Sequence, residues 1–91
     1  MDERADLVKR LYGKLDELAN EYKDHEEVSV FLEKLRAWVK DNAENEKLKT
    51  KNKFLDALDW RGQELSVAFE ENPDVDEALV VIQEWAQTEE D

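Results

Sequence analysis

The chain has 91 residues, 41% apolar and 42% charged, with a net charge of −12, one histidine and no cysteine. That length makes one domain with a thin core, burying about 60–65% of the surface its unfolded form exposes. Disulfides and thiolate metal sites are excluded, and three Trp, three Phe and two Tyr at helical spacing argue against the disorder that so high a charge content would otherwise suggest.

The first helix is expected over about residues 3–22, with Asp2 as N-cap and Asp6 near the positive end of the helix dipole. Val8, Leu11, Leu15, Leu18 and Tyr22 step by three and four, and Tyr12 and Ala19 widen the stripe. Gly13 falls on the wet side. After a short turn, Asp24 and Glu27 have the spacing of a capping box that opens a second helix over about 26–40. Val28, Phe31, Leu32, Leu35, Trp38 and Val39 form its apolar stripe. So short a connection makes the first two helices antiparallel neighbours.

Residues 41–53 are polar apart from Ala43 and Leu48. A capping box of Asp41 and Glu44 starts the third helix near residue 44, the alternative being a loop with a later start near Asn52. Lys47, Lys49, Lys51 and Lys53 are the one basic cluster. Without an aromatic stacking partner and in so acidic a chain, they read as a solvated face rather than a nucleic-acid contact. The third helix runs to residue 72, where Pro73 stops it. A fourth, over about 75–88, is opened by Asp74 and Glu77 and turns Val75, Ala78, Leu79, Ile82, Trp85 and Ala86 inward.

Four amphipathic helices joined by short turns predict an all-α, small antiparallel four-helix bundle in a single acidic domain spanning 1–91. The alternative is an irregular four-helix array with the third helix central, which would bury Trp60. The start of the chain, MDERADLVKR, is acidic where a signal peptide is basic and then apolar, and no run approaches the roughly 20 apolar residues of a membrane span. A soluble, cytoplasmic protein is expected.

The residues that carry chemistry are absent or isolated. His25 stands alone in a turn; with Glu21 it has i,i+4 spacing, but no second His or Cys completes a metal site. Asn72–Leu79 has an Asp-x-Asp without the glycine or closing glutamate of a calcium loop. Ser29, Thr50, Ser66 and Thr88 have no base beside them, and two glycines cannot build a phosphate-cradling loop. An enzyme, a cofactor and a resident metal are not expected.

Recognition remains. The stretch Phe54–Phe69 is apolar on two sides: Phe54, Leu55, Leu58, Leu65, Ala68 and Phe69 make one stripe that includes Gly62, while Trp60 and Val67 point almost opposite. Residues 1–61 hold fifteen acids and all thirteen bases, net −2, whereas residues 62–91 hold ten acids and no base, net −10. Trp60 and Val67, with Asp56, Glu64, Glu70 and Glu71 on the third helix and Asp74, Asp76, Glu77 and Glu84 on the fourth, are the candidate contact residues for a basic protein surface. The expected function is a non-enzymatic protein-binding module, a small acidic inhibitor or antagonist of a basic or nucleic-acid-binding protein. Imitation of DNA is one form of it. B-DNA carries a charge per about 1.7 Å of axis, so a helix ~21 Å long would need about twelve, far more than the fourth helix holds. The alternative is a structural or adaptor protein that forms homodimers through Trp60 and Val67.

Overall fold

The computed structural model describes residues 3–70 and 72–90. Helix α1, Glu3–Glu21, forms on its three–four stripe: Leu7, Val8, Leu11, Leu15 and Leu18 are buried. Removing each leucine from water is worth about 1.5–3 kcal/mol, which is why packing rather than propensity holds so charged a helix. The Asp2 cap lies outside the described residues. Helix α2, Glu26–Asn42, follows after one turn and buries Val28, Phe31, Leu32, Leu35 and Val39. His25, in extended geometry, occupies its N-cap without a side-chain hydrogen bond, so the capping box expected of Asp24 and Glu27 is not the device used.

The polar stretch divides. Helix α2 continues through Asn42, a 3₁₀ turn spans Glu46–Leu48, and helix α3 begins at Lys51, beside the later of the two expected starts and not near residue 44. The Asp41–Glu44 box is not used; Asn45 caps the 3₁₀ turn and Thr50 caps α3, each accepting from a backbone N–H two or three residues on. Arg4 holds this connection to the start of α1, its Nη1 donating to the carbonyls of Asn45 at 2.6 Å and Leu48 at 3.0 Å.

Helix α3, Lys51–Ala68, ends earlier than residue 72. Phe69 closes it and Glu70 turns left-handed at φ 54°. Pro73 does not stop α3 but starts α4, Pro73–Glu89, from its first turn. The residue before a proline is driven to extended geometry, and Asn72 uses that geometry to accept from the N–H groups of Asp74 and Val75. Asp74 therefore sits inside α4 and is not its cap.

The result is an all-α four-helix bundle, with no strand among the described residues. Neighbouring helices run antiparallel, as their paired contacts show: Asp16 with Arg36 between α1 and α2, Trp38 on Phe54 between α2 and α3, and Arg10 with Glu89 between α1 and α4 at 2.6 Å. The Arg10 guanidinium is held above its usual range by the hydrogen bond to Glu89. All six helix pairs touch, those of α2 and α3 with their neighbours most extensively. Trp38 and Trp85 pack half-buried against the common core. Trp60 does not, so the array in which a central third helix buries it is not what forms.

Candidate functional site

Helix α3 spends one side on the core and leaves the other bare. Phe54, Leu55, Leu58, Gly62, Leu65 and Ser66 are buried, whereas Trp60 is 69% and Val67 72% exposed. At about 100° per residue, Asp56, Trp60, Gln63, Glu64 and Val67 share an arc of about 100° on the outward side, and all five are exposed. Lys53 is the one cation on this side and stands at its N-terminal end. Glu64 lies 3.8 Å from Arg61 one turn back.

Three contacts between α3 and α4 set their register. Gln83 Nε2 donates to Asp59 at 2.8 Å, a Cβ on Gly62 would stand 2.6 Å from Leu79 Cδ1, and the buried Ser66 hydroxyl donates to Asp76. In this register Val80 falls level with Gly62 and Gln63, between Trp60 and Val67 along the axis. Val80 is 47% exposed. Three large apolar side chains thus stand on the outer surface of one helical hairpin, with Asp59 in the crease between its helices. Gln63 Nε2 donates to Asp59 Oδ2 at 2.9 Å, while Gln83 occupies Oδ1. Two neutral amides fix this carboxylate without cancelling its charge. No ion pair reaches Asp56 or Asp59 among the described residues. At the end of the crease, Leu55, Asp56, Asp59, Gln83, Ala86 and Glu90 line a notch of 280 Å³.

The carboxylates expected on one surface divide between two. Asp56 and Glu64 flank Trp60, Asp76 joins α4 to α3 through Ser66, and Glu84 is exposed on α4. Asp74 and Glu77 face the other flank: Asp74 lies 3.4 Å from His25 Nδ1, and Glu77 lies beside Tyr22. Burial first, and then the charge and hydrogen bond of Glu77, push the Tyr22 phenol above its usual range. Glu70 is exposed just beyond the end of α3, and Glu71 lies outside the described residues. An unbroken DNA-like row of charge is therefore not built from α4.

Asp59, Gln83 and Glu90 belong to this surface without a signal of their own in the sequence, whereas Val80 stands out there only as an apolar residue off the inward stripe of its helix. The i,i+4 pair Asp59–Gln63 was readable there, but pairing with Gln83 depends on the α3–α4 register. Among the described residues no group of three or more His, Cys, Asp or Glu could hold a metal ion, and no helix is long and apolar enough to cross a membrane. No family model, curated protein or solved structure matches the chain.

Proposed function

We propose that this protein is a non-enzymatic binding module that docks the outer face of α3 on a basic protein surface, acting as a small acidic inhibitor or antagonist of a basic or nucleic-acid-binding partner. The observation that carries the reading is Trp60, 69% exposed in a helix whose opposite side already serves the core. Covering such a ring is worth about 2–3 kcal/mol, and aromatic residues in a ring of polar groups supply much of the affinity at protein interfaces. Asp56, Glu64 and the base-free last third of the chain favour a positive partner, setting orientation and association rate more than residence time. The proposal places the protein in the cytoplasm, a compartment with which a chain free of cysteine is compatible.

The test is the affinity and association rate for a partner isolated at low salt, measured with the native protein and with Trp60→Ala. The expected result is a loss of about tenfold or more in affinity on substitution, and an association rate that falls steeply as salt rises. An unchanged affinity with Trp60→Ala would remove the face from the interaction, and indifference to salt would remove its electrostatic part.

A further inference from the structure

We infer that the outer crease between α3 and α4 seats a basic amphipathic α-helix of another protein, with apolar side chains on Trp60, Val67 and Val80 and arginines against Asp56 and Asp59. This deepens the docking reading above and rests on it. The occupant's shape comes from the spacing of the exposed apolar groups. Trp60 and Val67 are two turns apart on α3, about 10 Å along its axis, and Val80 lies between them in level on the neighbouring helix, whose axis is about 8–10 Å away. An incoming helix with apolar residues at i, i+3 or i+4, and i+7 meets all three at once. An extended strand would find no unpaired backbone to bond, because α3 and α4 satisfy their own.

The occupant's charge follows from the walls. From Gly62 to the end of the chain there is no Lys or Arg, and Arg61 is turned half into the bundle. An acidic helix or a nucleic acid would meet carboxylates on both sides. Asp59 lies in the floor of the crease with both oxygens oriented by Gln63 and Gln83, so its remaining lone pairs are fixed before anything arrives. A planar guanidinium exploits such a fixed carboxylate better than a lysine ammonium, since its donors form a rigid fork. Leu55 and Ala86 in the adjoining notch offer apolar contact to the stem of that side chain. A second copy of this chain is the poorer occupant: it would bring its own carboxylates to the same crease.

The probe is a short amphipathic helical peptide with arginine at its polar positions, titrated at low salt into isotopically labelled protein and followed by amide shifts. Peptides with lysine or glutamate at those positions serve as comparisons. The expected result is shifts on the outer sides of both α3 and α4, weaker binding of the lysine peptide and none of the glutamate peptide. Trp60→Ala and Val80→Asp should each weaken binding about tenfold, and Asp59→Asn about threefold, the smaller effect reflecting its partial exposure. Trp60 and Val80 are exposed, so helicity by circular dichroism should not change. Shifts confined to α3, with Val80→Asp neutral, would overturn the crease and leave the α3 docking reading standing. No shift on either helix would overturn both. Shifts at these residues that follow protein concentration without peptide would give the crease to a second copy.

Discussion

At the scale of single residues the two glycines make opposite demands. Gly13 lies exposed within α1, and a Cβ added there meets nothing within 4 Å. Gly62 lies buried where α4 crosses α3, and a Cβ there would stand 2.6 Å from Leu79 Cδ1. Alanine is favoured over glycine inside a helix by about 1 kcal/mol. Gly13→Ala should therefore gain about 0.5–1 kcal/mol in urea denaturation. Gly62→Ala should gain nothing, because the methyl end of Leu79 must swing aside, and Gly62→Val should lose about 1–3 kcal/mol through overpacking. Equal gains from alanine at both positions would show that α3 and α4 approach less closely than Gly62 permits. The close-approach role of Gly62 was readable from its place on the apolar stripe, whereas its partner Leu79 was not.

At the scale of elements the stripes were legible and the ends were not. The period of Val8, Leu11, Leu15 and Leu18 located α1 to within a residue, because core burial dominates where a helix sits. Helix ends answer to smaller energies, about 1 kcal/mol per cap, and to geometry that spacing alone does not carry. Each expected capping box, at Asp24, Asp41 and Asp74, gave way: His25 took one N-cap without a side-chain bond, and Asn45, Thr50 and Asn72 supplied the side-chain caps. Pro73 opens α4 and does not stop α3, because its effect on Asn72 serves a helix start as well as a helix end. The true end of α3 gives a prediction. Glu70 holds φ 54°, a conformation that costs an L side chain about 1 kcal/mol and that glycine adopts freely, and the N–H groups of Phe69 and Glu70 bond back to Ser66 and Val67. Glu70→Gly should stabilise the bundle by about 0.5–1 kcal/mol, while Asn72→Ala, on the other side of the same turn, should destabilise it by about 1 kcal/mol. Thermal melts of the two variants decide it; a loss with Glu70→Gly would mean that the Glu70 side chain matters more than its backbone.

At the scale of the molecule the question is whether the exposed ridge covers itself. Two copies of charge −12 on bodies 22 Å across repel strongly. Taken as point charges in water at 0.01 M salt, where the Debye length is about 30 Å, the repulsion is on the order of 10 kcal/mol. At 0.15 M it drops to about 2 kcal/mol. Against it stands the burial of two Trp60 and two Val67 side chains, about 6–10 kcal/mol at most, before the cost of association is met, itself at least about 4 kcal/mol. The attraction does not win at low salt. Light scattering should therefore give a mass near the 10.7 kDa of one chain at low salt, both for the native protein and for Trp60→Glu, with helicity unchanged between them. A native dimer that Trp60→Glu converts to a folded monomer would mean that packing across the ridge exceeds this repulsion, and the crease would then belong to a second copy rather than to a basic helix. An unfolded Trp60→Glu would contradict the exposure of Trp60 itself. A monomer in both cases leaves an aromatic ridge, flanked by Asp56, Asp59 and Glu64, that an acidic surface cannot cover without adding repulsion and that a basic surface covers with attraction.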